Sequence, residues 1–285
     1  MSNIELVGVI GGGTMGAGIA EMCARSGSSV LILETSQGTA DAAEARLDKS
    51  FARAVKSGRI DADAAEKARA AISLTLDIND FADRDLVIEA APEIESLKLD
   101  LFGKLDSIVK PEGILATNTS SIPVIKMANA TKRPDQVVGV HFFNPVPVLP
   151  LVEIVVSLLT SEETVDAVTD YAANTLGKKT IRAGDRAGFI VNALLIPYMV
   201  SAIRMLESGF ASAEDIDDGM VNGCAHPMGP LRLTDTVGLD VTLAVAESLY
   251  AEFREPHYAP PPLLQRMVDA GMLGRKSGKG FYTYS

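Results

Sequence analysis

Cysteine is scarce: only Cys23 and Cys224 occur among 285 residues, far apart and in segments that read as helical or helix-flanking. That spacing excludes a disulfide framework and a thiolate metal site, and both thiols are expected to be buried or inert. No charge-free apolar run reaches membrane-spanning length. The N-terminus enters a strand-like pattern without the basic start and cleavage site of a secretion signal, so a cytoplasmic location is expected. Basic charge is also in deficit, with 26 Lys and Arg against 37 Asp and Glu and a formal net charge of -11. Such a surface repels nucleic acid and acidic membranes, and any anionic ligand must be met by local groups. Histidine numbers three. There is no internal repeat and no low-complexity segment.

Apolar residues are plentiful at 47%, enough for a sizeable core in one large domain or two ordinary ones. Short runs rich in Val, Ile and Leu (Leu6 to Ile10, Val30 to Leu33, Leu86 to Ile88, Ile114 to Ala116, Val137 to Val140) alternate with Ala-rich helical stretches. Continuous apolar runs separated by helices predict an α/β domain with a mostly parallel sheet covered on both faces. Residues 37–71 form a longer helical stretch than a crossover needs, broken near Gly58, and read as an inserted helical hairpin. On its first helix Leu47, Phe51, Ala54 and Val55 share one face, while Arg46, Lys49, Arg53 and Lys56 form a separate basic stripe. A solvated face is the plain structural reading of that stripe. After Gly184 strand-like runs cease and Ala/Leu/Met-rich helical patterns take over, punctuated at Pro227, Gly229 and Pro260 to Pro262. The expected division is a Rossmann-type domain over 1–186 and an all-α domain over 187–285.

Gly11-Gly12-Gly13-Thr14-Met15-Gly16 matches G-x-G-x-x-G, follows a strand directly and opens a helix. In that context Gly11 permits the tight turn, Gly13 lets backbone amides approach a pyrophosphate, and Gly16 allows close packing of helix on strand. The anion then sits at the helix N-terminus, where amides and dipole favour negative charge. The second strand ends in Glu34, whose carboxylate accepts hydrogen bonds from the adenosine ribose and repels a 2′-phosphate. NAD is therefore expected rather than NADP.

His141 ends a hydrophobic strand, and in open α/β sheets ligands bind outside the carboxyl ends of strands. Twelve residues on, Glu153 interrupts the apolar run Leu151 to Val155. Pro145, Pro147 and Pro150 force the intervening chain to turn, which allows Glu153 to return beside His141. An imidazole braced by a carboxylate is a general base: one ring nitrogen donates to the acid while the other takes a hydroxyl proton. A structural ion pair is the alternative reading of Glu153.

Together with Glu89-Ala90-Ala91-Pro92-Glu93, Asn118-Thr119-Ser120-Ser121, His141-Phe142-Phe143-Asn144-Pro145, Gly188 to Asn192, His226 to Pro230 and Gly274 to Tyr282, these residues resemble the 3-hydroxyacyl-CoA dehydrogenases over nearly the whole chain. The bacterial 3-hydroxybutyryl-CoA members look most similar. The resemblance implies reversible NAD-dependent oxidation of a short (S)-3-hydroxyacyl-CoA, with His141 and Glu153 as the catalytic pair. It further implies that Ser120 and Asn192 hydrogen-bond the reacting oxygens. Glu93, Lys98, Asn118, Ser120 and Asn144 would join Gly11, Gly13, Thr14, Met15, Gly16 and Glu34 along the cofactor, with Asn144 at the nicotinamide end. Ser50, Arg53 and Lys56 on the inserted hairpin become candidates for CoA contact, and a homodimer or higher homo-oligomer through the helical domain is expected. No metal is implied. Read without the resemblance, Ser120 is a turn residue and Asn192 a helix start.

Three positions depart from the family pattern: Pro150 where a basic residue is frequent, Ala187 where Pro is usual and Ala193 where Arg is usual. His226 and His257 lie in proline-containing loops and read as structural. The 3-hydroxyacid dehydrogenases of free carboxylates use a Lys four residues after a boundary-helix Asn, but Ile196 stands there. A relative of the same broad family acting on a non-CoA hydroxy or sugar acid stays open, as does a catalytically silent NAD-binding or structural protein.

Overall fold

The computed structural model describes residues 4–284. The chain divides into two compact units, 1–185 and 186–285. The first is built in the order β1 (Leu6–Ile10), α1 (Thr14–Arg25), β2 (Ser29–Leu33), α2 (Gln37–Lys56), α3 (Ala62–Ala70), β3 (Ile72–Thr75), β4 (Leu86–Glu89), α4 (Glu95–Ile108), β5 (Ile114–Thr117), α5 (Val124–Asn129), β6 (Val137–Phe142), β7 (Leu151–Val156), α6 (Glu162–Asp170) and β8 (Lys179–Gly184). Its eight strands form one sheet in the order β3-β2-β1-β4-β5-β6-β7-β8. The strand order reverses direction at β1, so a crevice opens outside the carboxyl ends of β1 and β4.

Strands β1 to β6 are parallel, β7 runs antiparallel to β6, and β8 pairs parallel to β7. The central strands β4, β5 and β6 are buried along their whole length, as continuous apolar runs between two helical layers require. Two strands lack that signature. The outermost strands, β3 and β8, carry Ser, Thr, Lys and Arg and are only partly covered, which is why neither reads as a strand from sequence.

The inserted hairpin is α2 and α3. Ser36 caps α2, its hydroxyl accepting the Thr39 N–H while Thr39 Oγ1 accepts the Ser36 N–H. Gly58 turns the chain at φ +68 after α2, and Asp61 caps α3 through the Ala64 N–H at 2.7 Å. Leu47, Phe51 and Ala54 are buried, but Val55 is exposed. The apolar face is therefore narrower than its sequence pattern, because Val55 lies at the edge of the helix turned to solvent.

The second unit contains α7 (Val191–Glu207), α8 (Ala213–Cys224), α9 (Pro230–Val237), α10 (Leu239–Phe253) and α11 (Pro262–Asp269). Leu231, Leu239, Leu243 and Leu264 form one cluster of its core, and Met199, Val200 and Leu249 another. Its C-terminal segment is pinned by Asp235, whose carboxylate accepts the Phe281 and Tyr282 N–H groups at 2.9 Å each. Cys23 is buried, and desolvation pushes its thiol up to about 11. Cys224 is exposed, so only one of the two thiols is buried. Among the described residues no helix is long and apolar enough to cross a membrane.

Candidate active site

The glycine loop joins β1 to α1. Gly11 has φ +89, a conformation that glycine adopts without penalty. A Cβ on Gly16 would stand 1.7 Å from the Gly11 carbonyl oxygen, so helix and turn are as close as backbone allows. At Gly13 a Cβ would meet nothing within 4 Å. Gly13 is also the N-cap of α1 and supplies no side-chain cap, which leaves the amides of the first turn for a ligand. Glu34 follows β2 directly and accepts the Gly12 N–H on Oε1 at 2.5 Å.

A cavity of about 860 Å³ lies over this loop. Gly11, Gly13, Thr14, Met15 and Glu34 line it, together with Arg46, Lys104, the Ala90 to Pro92 turn and apolar Leu33, Leu76, Leu97 and Leu101. These groups fit a dinucleotide: apolar walls for an adenine ring, a carboxylate for ribose hydroxyls, and open amides for a pyrophosphate. A second cavity, of about 600 Å³, is lined by Glu112, Glu163, Asp166 and Asp170, a set that repels such a ligand.

Beside the glycine loop runs an ionic network, buried at Glu89 and Lys98 and reaching the surface at Glu93. Lys98 Nζ lies 2.7 and 2.8 Å from the two oxygens of Glu89 and 3.1 Å from Glu93 Oε2. Thr117 Oγ1 and the Ala91 N–H also donate to Glu89, each at 2.7 Å. Glu93 Oε1 accepts from Thr119 Oγ1, from the Ser120 and Ser121 N–H groups at 3.1 and 3.2 Å, and from Ser121 Oγ at 2.9 Å. Desolvation would raise the Glu93 carboxyl, but the Lys98 ammonium and the hydroxyl donors outweigh it and hold the group below the usual range. Glu93, Lys98 and Ser120 thus belong to one network. Lys98 bridges its two carboxylates, and Glu89, quoted above only as part of a motif, is marked in the sequence as the carboxylate that closes the apolar run of β4.

His141 and Glu153 come from β6 and β7, where they are directly opposed in the antiparallel register. His141 Nδ1 is 2.7 Å from Glu153 Oε2, with His141 5% exposed and Glu153 fully buried. An ionised Glu153 can only accept, so the bond puts the proton on Nδ1. The Phe143 ring meets the imidazole edge-on at 4.6 Å between centroids. Asn118, just after β5, ties the neighbouring strand end through its Oδ1, which accepts the Phe142 N–H at 2.9 Å.

Asn144 is exposed in the β6 to β7 connection. That connection is held by Lys178, whose ammonium donates to the Val146 and Leu149 carbonyls at 2.6 and 2.7 Å. Desolvation, with help from Arg25, lowers the Lys178 pKa. No sequence signal singled out Lys178. Pro150 is exposed in the same connection, and its carbonyl accepts the Lys179 N–H at 2.7 Å.

Of the hairpin residues, Ser50 is half-buried and Arg53 and Lys56 are exposed on α2. None of the three lines the cavity over the glycine loop, whereas Arg46 does. In the second unit, Asn192 is in the first turn of α7. Ala187 is buried there, and its N–H donates to Glu252 Oε2 at 3.0 Å, a bond that a proline could not make. Ala193 donates its N–H to the Gly188 carbonyl at 3.0 Å. His226 Nδ1 lies 3.2 Å from the Tyr198 hydroxyl, and the His257 ring meets the Tyr258 ring at a tilt, with 3.9 Å between centroids.

Known proteins resemble both units. The family model for the NAD binding domain of 3-hydroxyacyl-CoA dehydrogenase matches residues 6–186, and the model for the C-terminal domain of that enzyme matches 188–284. A 3-hydroxybutyryl-CoA dehydrogenase of Mycobacterium tuberculosis is 52% identical over 282 residues, covering 99% of each chain. The crystal structure of M. tuberculosis FadB2 matches with a TM-score of 0.98 at 52% identity and covers 100% of both chains. That of (S)-3-hydroxybutyryl-CoA dehydrogenase from Ralstonia eutropha matches with a TM-score of 0.93 at 43% identity, covering 99% of this chain and 100% of the other. Matched in both units by one family and along its full length by these relatives, the chain belongs to the 3-hydroxyacyl-CoA dehydrogenases.

Proposed function

We propose that this chain interconverts (S)-3-hydroxyacyl-CoA and 3-oxoacyl-CoA with NAD, takes the short 3-hydroxybutyryl-CoA as substrate, and uses His141 as its proton-transfer group. The observation that carries this reading is the buried His141 to Glu153 bond near the carboxyl end of β6. The glycine loop follows the carboxyl end of β1 on the same edge of the sheet, with β4 and β5 between. Three strand spacings span about 14 Å, a reach suited to an extended dinucleotide running from the glycine loop towards His141. The activity named for the full-length relatives supports the same substrate class.

When bound, NAD supplies the ring that accepts hydride from the alcohol carbon. Glu153 fixes the imidazole with its proton on Nδ1, so Nε2 takes the hydroxyl proton, and the carboxylate stabilises the imidazolium that results. In the reductive direction the same Nε2 returns the proton. Ser120 and Asn192 are assigned to hydrogen-bond the reacting oxygens, Asn118 to the cofactor, and Asn144 to its nicotinamide end. The helical unit is assigned to substrate binding and self-association, a role supported by its exposed Leu194 (72%) and Phe210 (79%). A homodimer or higher homo-oligomer in the cytoplasm is the corresponding assembly.

The test is loss of NADH absorbance with acetoacetyl-CoA and a series of longer 3-oxoacyl thioesters. Turnover that is greatest for the short thioesters is expected. NADH oxidation with a free 3-oxo acid or sugar acid but with no thioester would move the chain to the non-CoA reading, and NADH binding without any turnover to the silent one.

A further inference from the structure

The basic stripe of α2 divides between two directions. Thr39, Ala42 and Arg46, three and four residues apart, all line the cavity over the glycine loop, as one face of a helix does. Arg53 stands about 10.5 Å further along the axis, two turns beyond Arg46, and is not part of that lining. Arg46 therefore serves the dinucleotide cavity rather than a CoA arm.

Within the cavity Arg46 and Glu34 grip the same residue from opposite sides. Arg46 Nη1 donates to the Gly12 carbonyl at 3.2 Å, while Glu34 Oε1 accepts the Gly12 N–H. Packing leaves little slack there, since a Cβ on Gly12 would stand 2.4 Å from Ala43 Cβ and 2.9 Å from Glu34 Oε1. A cation and an anion are thus fixed around one point at the end of β2, where the adenosine ribose of a dinucleotide lies in this fold. A guanidinium carries five N–H donors in a planar fork that matches a phosphate, and the Gly12 carbonyl takes one of Arg46's.

We propose that Glu34 and Arg46 together set dinucleotide specificity, Glu34 by repelling a 2′-phosphate and Arg46 as a built-in receptor for that phosphate once the carboxylate charge is removed. Glu34 prevails in the native chain because its carboxylate is held against the glycine loop. The inference rests on the NAD reading of the cavity and goes beyond it by assigning Arg46, which the sequence pattern placed in a solvated or CoA-facing stripe.

The experiment is equilibrium titration of the full chain with NADH and with NADPH, followed by nicotinamide fluorescence and without any acyl-CoA. Glu34→Gln, which keeps an acceptor oxygen for the Gly12 N–H, should tighten NADPH binding relative to NADH by about tenfold, the scale of one charge-assisted hydrogen bond. Adding Arg46→Ala should cancel most of that gain, and Arg46→Lys should keep part of it. An equal gain with and without Arg46, or no gain in a folded Glu34→Gln protein that still binds NADH, overturns the inference. Should Glu34→Gln not fold, Glu34→Ser with and without Arg46→Ala makes the same comparison: the NADPH gain should appear only where Arg46 is kept, and an equal gain in both overturns the proposal. Failure of the wild type to bind NADH at all would remove the cofactor reading as well, and is thereby told apart.

Discussion

His141 and Glu153 are partners in the β6 to β7 ladder, and their side chains meet at 2.7 Å on one face of the sheet. Directly opposed residues of an antiparallel pair project to the same side, so the backbone itself aligns acid and imidazole. His141→Ala should lower turnover by about two to four orders of magnitude while NADH affinity stays near wild type. Stopped-flow turnover with fluorescence titration separates the two. Wild-type turnover in that variant would remove His141 from the mechanism.

Glu89 and Lys98 form a pair with almost no exposure, 0% and 1%. Removing one partner strands the other charge, at a cost of about 3–5 kcal/mol. Lys98→Met should therefore destabilise strongly, whereas the double variant Glu89→Leu with Lys98→Met should recover much of the loss. Urea unfolding of the two variants measures the difference, and a single variant as stable as wild type would show that the pair is not coupled.

Arg53 and Lys56 stand exposed on α2, beyond the residues that line the cofactor cavity. If they meet the phosphates of CoA, replacing both with Glu should raise KM for the thioester by about fivefold at low ionic strength and less in salt. KM for NAD should not move. An unchanged thioester KM would return the two residues to a solvated face.

Acid stability should depend on Asp85. Burial raises this carboxyl, but the Lys110 ammonium at 2.5 Å and the Glu5 and Leu6 N–H groups outweigh burial and hold it below its ordinary value. A folded-state pKa below the unfolded one gives a contribution that is complete above the unfolded value, about 4, and is lost as pH falls through the folded value. Asp85→Asn should flatten the fall in Tm below about pH 4. A fall as steep as that of the wild type would assign acid lability elsewhere.

Much of this architecture is legible in the residues because burial leaves a pattern. Strands covered on both faces must be continuously apolar, so β1, β2 and β4 to β6 stand out, and the inserted hairpin is marked by its helical period and by Gly58. The edge strands β3 and β8 are not legible, since half-covered strands tolerate Ser, Thr, Lys and Arg. Among the candidate residues, the proline-rich connection announces that Glu153 can return to His141, but the register that makes them partners is a long-range pairing with no local signature. Lys98 is legible through the family likeness, whereas its buried pairing with Glu89 joins β4 to α4 and has no local signature. Helical periodicity likewise put Arg46 with Arg53 and Lys56, because a period defines a face and says nothing of what lies opposite each part of it.

The reversed direction of β7 has a consequence for how this protein tolerates change. Because side chains alternate across a strand, sliding β7 by a single residue would carry Glu153 to the far side of the sheet and leave the imidazole without its acid. A change of length confined to the exposed stretch 148–150 leaves that pairing untouched so long as the strands stay in step. Phe143 against the imidazole and Asn144 tie the first part of the connection to the site, so its tolerance of change is confined to the end that leads into β7.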